Sequence, residues 1–146
     1  MTINYTIYNT SSGLINAYGS VPDSTHYAVI PYDPTTQTLT TDTIDSDLNW
    51  YYLSGVLTAR PLLSTVATWS TLAITANGSS TATLGSGLPN PTTITIIVPG
   101  STGIAQVAPQ TITSGSFSLT TTQPGTYVVE TSCFPYVDTA VSIIAT

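Results

Sequence analysis

The chain has no lysine and little charge of either sign. Of its 146 residues, 5% are charged, whereas about 25% is typical of a soluble domain. Arg60 is the one strong base, against seven acidic residues, and the formal net charge is −6. A single base cannot neutralise a run of phosphates. This excludes sequence-independent nucleic-acid binding and argues against docking on an anionic membrane.

Cysteine and histidine each occur once, and this limits the chemistry. Cys133 is alone, which excludes an intrachain disulfide and a cysteine metal cluster, so we interpret it as a small buried hydrophobe. His26 is the one available base of a catalytic triad, and no Gly-x-Ser-x-Gly elbow accompanies it. We therefore predict a protein without catalytic residues or cofactor, in which His26 is a hydrogen-bonded surface or interface residue.

Long apolar segments are also missing. No apolar run reaches the roughly 18 residues that span a bilayer, so no membrane insertion is predicted. Residues 1–5 show neither the basic region nor the apolar region of a signal peptide. We expect the protein to act where it is made, or to leave inside a particle released by lysis.

What the chain has in abundance is threonine, 30 residues, and serine, 17 residues, with 41% hydrophobic residues. This hydrophobic content is enough for folding. Thr, Val, Ile and Tyr suit the pleated surface of a sheet and lose side-chain freedom in a helix. The composition therefore predicts an all-β fold.

The first 61 residues predict a small, hairpin-rich β domain. Residues 3–8 alternate in polarity and, with residues 14–18, predict a hairpin around the turn at 9–13. Further strands are predicted over residues 26–32, interrupted at Pro31, and over 37–44. Residues 49–53 and 56–59 predict a tight hairpin around Ser54-Gly55, closed by Arg60-Pro61.

Residues 62–71 are predicted to be a linker. Leu62, Val66 and Trp69 have helical spacing, but the threonine content opposes a helix. All charge except Glu130 and Asp138 lies before this stretch, which indicates a domain boundary.

Residues 72–146 predict an Ig-like β-sandwich. They contain seven or eight short strands with a turn signal every 8–12 residues or so. The strongest strand is predicted at 92–98, followed by a turn at Pro99-Gly100 and a short strand from Ile104. Tyr127 enters a late strand just after a turn, so we predict a buried structural tyrosine of the tyrosine-corner type.

The aromatic residues of the first domain are the candidate functional residues. Three interpretations stay open: an internal aromatic core, a protein interface, and a sugar-stacking platform. A surface rich in hydroxyls and poor in charge is also adhesive, so we expect a homo-oligomer or multi-copy lattice in which neighbours cover it. The interface candidates are Tyr5, Tyr8, Tyr18, Tyr27, Trp50, Tyr51 and Tyr52.

Asp42, Asp45 and Asp47 form a weak candidate metal site. Calcium prefers oxygen ligands from a flexible loop, and three acids within six residues offer them. The EF-hand pattern is absent, so we favour a solvent-exposed acidic turn. A glycosidase needs two carboxylates in a cleft, so acids in a solvent-exposed turn are not interpreted as a glycosidase pair.

Several stretches resemble a group of bacteriophage virion proteins that are encoded near tail or capsid genes. The first two are residues 8–15, YNTSSGLI, and residues 49–61, NWYYLSGVLTARP. The others are residues 74–78, 87–89, 124–127 and 134–136. Leu14 stands where an acidic residue is common in that group.

The resemblance implies a small N-terminal attachment domain, a C-terminal Ig-like domain and no catalytic residue. We expect a tail-, baseplate- or fibre-associated accessory protein, assembled in the host cytoplasm and released in the virion. The expected partners are other virion proteins, and a host-surface glycan is a further candidate. A capsid decoration protein is the alternative within this class, and a carbohydrate-binding or adhesin module is the alternative from another class.

Overall fold

The structure, a computed structural model, describes residues 1–98 and 105–146 and confirms the all-β prediction. The predicted turn at Pro99-Gly100 and the predicted strand start at Ile104 lie outside the described residues. No helix in the described ranges is long and apolar enough to cross a bilayer. The elements are β1 Ile3–Asn9, β2 Ile15–Val21, α1 Ser24–Tyr27, β3 Gln37–Thr40, β4 Trp50–Leu53, β5 Val56–Ala59, a 3₁₀ turn Leu63–Thr65, β6 Ala73–Ile74, β7 Ala82–Leu84, β8 Thr92–Val98, β9 Ala105–Ile112, β10 Phe117–Leu119, β11 Gly125–Ser132 and β12 Thr139–Ala145.

The chain divides into two compact units, Met1–Arg60 and Pro61–Thr146. The predicted linker over residues 62–71 is wrong, because this stretch belongs to the second unit. Leu63 and Ala67 are buried in that unit's core. The backbone at Val66 also passes so close to Gly87 that a Cβ atom there would overlap with the Val66 carbonyl oxygen. The helical spacing in the sequence reflects a single 3₁₀ turn followed by extended chain.

In the first unit, a three-stranded antiparallel sheet and a two-stranded hairpin share one small core. The sheet order is β2-β1-β3, and the hairpin is β4-β5. The predicted hairpins are therefore present. Tyr8, Ile15 and Tyr52 are buried together as the core cluster. Thr6 is fully buried on the central strand, and its hydroxyl donates to the backbone carbonyl of Asp42.

Two predicted strands of the first unit differ in the structure. The strand predicted at residues 26–32 is replaced by α1, a single helical turn. Asp23 caps this turn, and its carboxylate accepts the backbone N–H of His26, a capping bond that favours helix initiation. The strand predicted at residues 37–44 ends at Thr40; two residues later, Asp42 turns its carboxylate back to the Thr40 hydroxyl.

The second unit contains a five-stranded sheet of order β6-β12-β11-β8-β9 and a two-stranded pair, β10-β7. All pairs are antiparallel except β6 with β12. The predicted strand at 92–98 is present as β8. The core includes Ile94, Val129 and Ile143, which are at most 1% exposed. Cys133 is buried, as predicted.

Tyr127 has the burial and hydrogen bond predicted for it. Its side chain is 5% exposed in the core of the second unit. Its hydroxyl donates to the backbone carbonyl of Gln123 at 2.9 Å and lies 2.7 Å from the Thr121 hydroxyl. The side chain therefore ties the turn before β11 to the core.

Candidate functional site

An aromatic stack lies at the centre of the first unit. The rings of Tyr8 on β1 and Tyr52 on β4 are nearly parallel. The Tyr52 hydroxyl donates to Asp42 Oδ2 at 2.7 Å and lies 3.0 Å from the Thr40 hydroxyl. Burial, together with the nearby Asp42 carboxylate, raises the pKa of Tyr52 to about 12. The hairpin is thus fastened to the sheet by ring contact and by a polar network.

Only some of the predicted interface aromatics are available to a partner. The interface prediction is wrong for Tyr8 and Tyr52, which lie in the buried core cluster of the first unit. Tyr51 is also buried, at 9% exposure. Among the remaining candidates, Tyr18 is 42% exposed. Tyr5, Tyr27 and Trp50 are half-buried.

The Tyr5 ring covers a glycine rather than projecting from the sheet. Gly19 is the cross-strand partner of Tyr5, and a Cβ atom on Gly19 would lie 3.2 Å from the tyrosine ring. A groove of about 230 Å³ next to this pair is lined by Asn4, Tyr5, Tyr18, Gly19, Ser20, Asp42, Thr43 and Ile44. Asn4 already donates to the Thr43 hydroxyl, so part of the polar lining is satisfied internally.

The strongest candidate for a contact surface lies at the tip of the β4-β5 hairpin. The Tyr52 N–H donates to the Gly13 carbonyl at 2.9 Å, and a Cβ atom on Gly13 would overlap with the Tyr52 carbonyl oxygen. This contact holds the β1-β2 turn against β4. Gly13 can fill the position because its φ is +75°, a conformation that glycine adopts without steric cost.

Three exposed aliphatic residues lie next to the Gly13–Tyr52 contact in the sequence or in the hairpin register, and we call them the hairpin-tip patch. Leu14 follows Gly13 and is 48% exposed, and Leu53 follows Tyr52 and is 55% exposed. Val56, the cross-strand partner of Leu53, is 65% exposed. The prediction from aromatic content missed this patch. The sequence signal was the pair of aliphatic residues on either side of the tight turn Ser54-Gly55.

The three candidate metal ligands do not converge. Asp42 accepts hydrogen bonds from Thr40 and Tyr52, whereas Asp45 accepts the Trp50 indole N–H at 2.6 Å. That bond is the main reason that the pKa of Asp45 lies below its usual value. Within residues 1–98 and 105–146, no group of three His, Cys, Asp or Glu side chains is placed to hold a metal ion.

His26 is paired with the acid that caps its own helical turn. Its Nδ1 lies 2.7 Å from Asp23 Oδ1, and both side chains are exposed. The side-chain hydrogen bond to His26 is the main reason that the pKa of Asp23 is lowered. The pair therefore stabilises a surface turn, in line with the predicted hydrogen-bonded surface histidine.

Comparisons of the chain with protein-family models, with curated proteins and with solved structures found no match. The functional argument therefore rests on the residues of this chain. Of the features above, the hairpin-tip patch combines aliphatic side chains, exposure and a fixed backbone. It is therefore the candidate contact surface of the first unit.

Proposed function

We propose that the chain is a non-enzymatic structural subunit of a bacteriophage virion, of the tail-, baseplate- or fibre-associated accessory type. The setting comes from the sequence resemblance described above. The observation that supports an assembly role is the hairpin-tip patch, through which the first unit docks on a neighbouring virion protein.

The physical argument is that the patch gains from burial and loses little. Leu14, Leu53 and Val56 carry no polar side-chain atoms, and burial of apolar surface is the main favourable term in most protein association. Adjacent exposed aliphatic residues of this kind often mark a protein contact. The scarcity of charge in the chain also means that few ionised groups must be desolvated nearby.

The platform beneath the patch is fixed before binding. Tyr52, which precedes Leu53 in the chain, stacks on Tyr8 and donates its N–H to the Gly13 carbonyl. A preorganised surface loses less conformational freedom on association, and this favours affinity.

For the second unit, we propose an Ig-like sandwich that projects from the attachment site or bridges to a neighbour. Two features support this: the strand order β6-β12-β11-β8-β9 beside the pair β10-β7, and the bond from the Tyr127 hydroxyl to the Gln123 carbonyl. A tyrosine near the start of a late strand, bonded back to the preceding turn, is typical of Ig-like sandwiches.

The test places a charge in the patch of the full-length protein. Leu53→Asp and Val56→Asp should each reduce incorporation into particles, and the double variant should abolish it, because a carboxylate would have to be buried without a partner. Leu48→Asp is the matched control, since Leu48 is 59% exposed but precedes β4 at the opposite end of the hairpin. Normal incorporation of the double variant would overturn the proposed attachment site.

The copy number per particle distinguishes a tail-associated accessory protein from a capsid decoration protein. Quantitative mass spectrometry of purified particles should find far fewer copies of this chain than of the major capsid protein. Copies in a fixed ratio to the capsid subunits would instead support the decoration alternative. Absence from the particle would overturn the virion assignment itself.

A further inference from the structure

Part of the β12 edge has no neighbouring strand among the described residues. β6 pairs only with Ile144 and Ala145, at the end of β12. Just before β12, Leu62 forms a parallel bridge with Val137. Between these two contacts the chain crosses to the other sheet, where residues 68 and 70 bond to residues 85 and 83. Within residues 1–98 and 105–146, no strand pairs with the β12 edge between Thr139 and Ser142, and we call this stretch the open edge.

The backbone groups that face this opening follow from the hydrogen bonds beside it. The N–H of Ile144 donates to Leu72, and that of Thr146 donates to Ile74. Even-numbered residues of this segment thus direct their backbone groups outward, because these directions alternate along a strand. Ala140 and Ser142 therefore present N–H and carbonyl groups to the open edge, a template on which another strand can pair.

A groove lies on each side of β12 next to the open edge. The groove on the core side has a volume of about 300 Å³ and is mainly apolar; its lining includes Leu63, Trp69, Leu72, Leu84, Thr139 and Val141. The second groove has a volume of about 350 Å³; its lining includes Thr93, Thr95, Glu130, Asp138, Thr139 and Ala140. Successive side chains of an added strand point to opposite faces, so adjacent residues of one peptide would enter different grooves.

The charges beside the open edge favour a basic partner. Glu130 and Asp138 are the only charged residues of the second unit. Both line the second groove, and Glu130 is the cross-strand partner of Ala140. Because Ala140 has only a methyl group, a long cationic side chain on an added strand can extend over it towards Glu130.

We propose that this edge binds an extended segment of another protein, in which a Lys or Arg is flanked by aliphatic residues. An aliphatic side chain occupies the apolar groove, and the base lies beside Glu130. This inference goes beyond the attachment role and concerns the other unit. A second copy is a poor occupant, because the one arginine of the chain, Arg60, already donates to the Leu48 carbonyl and precedes a proline.

The opposite edge of the same sheet does not offer such a site. Its outer strand, β9, contains Pro109, and proline has no N–H to donate to an added strand. β9 therefore lacks one of the N–H groups that an added strand would use, which makes it a poorer template than β12. This difference between the two edges is what we would expect if the open edge has a binding role.

The test uses the full chain and a capped synthetic pentapeptide, Thr-Val-Lys-Val-Thr, which is short enough to lie between the contacts of Val137 and Ile144. Titration followed by NMR should show saturable shifts and slowed hydrogen exchange at the amides of Ala140 and Ser142. Replacing the lysine of the peptide by glutamate should weaken binding, and replacing both valines by serine should abolish it. Equal binding of all three peptides, or no shift at residues 139–142, would overturn the proposal.

Protein variants separate the backbone, apolar and charge contributions. Ala140→Pro should abolish binding because it removes an outward N–H. Leu72→Ser should weaken binding, whereas Ile144→Ser is the matched control, since both residues are 51% exposed and Ile144 lines neither groove. Glu130→Gln should weaken binding of the lysine peptide about two- to fivefold, the size expected of an exposed ion pair, and should not weaken binding of the glutamate peptide. Unchanged affinity in Leu72→Ser and Glu130→Gln would contradict the two-groove arrangement.

Discussion

The rings of Tyr8 and Tyr52 stack with their centroids 3.8 Å apart and their planes 9° from parallel. The stack joins the central strand of the first sheet to the β4-β5 hairpin. In a unit of about 60 residues, whose core is small, this contact and the network at the Tyr52 hydroxyl position the hairpin that carries the proposed attachment surface.

The first prediction concerns the ionisation of Tyr52. Its folded-state pKa is raised from 10 to about 12, so the fold favours the neutral phenol. The resulting stabilisation is complete below pH 10 and is lost as the pH rises towards 12. A phenolate titration at 295 nm should show one tyrosine ionising near pH 12, and Tyr52→Phe should remove that step.

Asp42→Asn is the matched variant for this titration. It removes the carboxylate that raises the pKa of Tyr52 but leaves the ring buried. The late step should therefore move to lower pH without reaching that of an ordinary tyrosine. A late step that survives in Tyr52→Phe would belong to another residue and would contradict the assignment.

The second prediction compares two glycines with similar backbone angles. Gly13 and Gly55 have φ values of +75° and +80°, so alanine is strained at both, by about 1–2 kcal/mol. At Gly55 the nearest atom to the new methyl group is 3.8 Å away, whereas at Gly13 the methyl group overlaps with the Tyr52 carbonyl. Gly13→Ala should therefore destabilise the first unit well beyond Gly55→Ala, measured by amide exchange at β1 and β4. Equal effects would mean that the close approach of Gly13 to β4 does not exist in solution.

The third prediction concerns the hydroxyl of Tyr127. Tyr127→Phe removes its bonds to Gln123 and Thr121 and leaves the buried ring in place. We expect a loss of about 1 kcal/mol in the free energy of unfolding of the second unit. Tyr32→Phe is the control, because Tyr32 is 41% exposed and exposed substitutions usually change stability by less than about 0.5 kcal/mol. Identical amide exchange at β11 in both variants would argue against a structural role for the Tyr127 hydroxyl.

Period-two patterns and tight turns were sufficient to predict the strands that form hairpins and the β8 strand. They failed where one residue decided the path of the backbone. Asp23 caps a helical turn that the hydropathy pattern around His26 did not indicate. Gly87, which has no Cβ atom, lets the backbone at Val66 pass close to it, and Leu63 and Ala67, on either side of Val66 in the chain, are buried. Contacts at such sequence separations leave no periodic signal.

The sequence prediction and the proposed attachment surface both lie in the first unit, but they involve different residues. The aromatic content favoured an interface that includes Tyr8 and Tyr52, yet both rings lie in the interior of the first unit. The residues left exposed at the hairpin tip are aliphatic. Composition alone could not separate the two groups, and strand alternation does not separate them either, because Tyr51 and Leu53 share one face of β4 although only Tyr51 is buried.

The last prediction concerns Asp45, one of the three candidate calcium ligands. The indole N–H of Trp50 donates to Asp45 at 2.6 Å and is the main cause of the lowered pKa of that carboxyl group. Trp50→Phe should raise the pKa of Asp45 towards its ordinary value of 3.8, measured by NMR titration of the carboxyl carbons. Asp33 is the internal control, because its pKa is lowered by Thr35 and Thr36 and should not change.

The same change affects stability in acid. Since the folded-state pKa of Asp45 is depressed, its contribution to stability is present above pH 3.8 and is lost on acidification. Trp50→Phe should therefore lose less stability than the unsubstituted protein over that range. An unchanged Asp45 titration would show that Trp50 does not donate a hydrogen bond to this carboxylate. Asp45 would then again be a candidate calcium ligand.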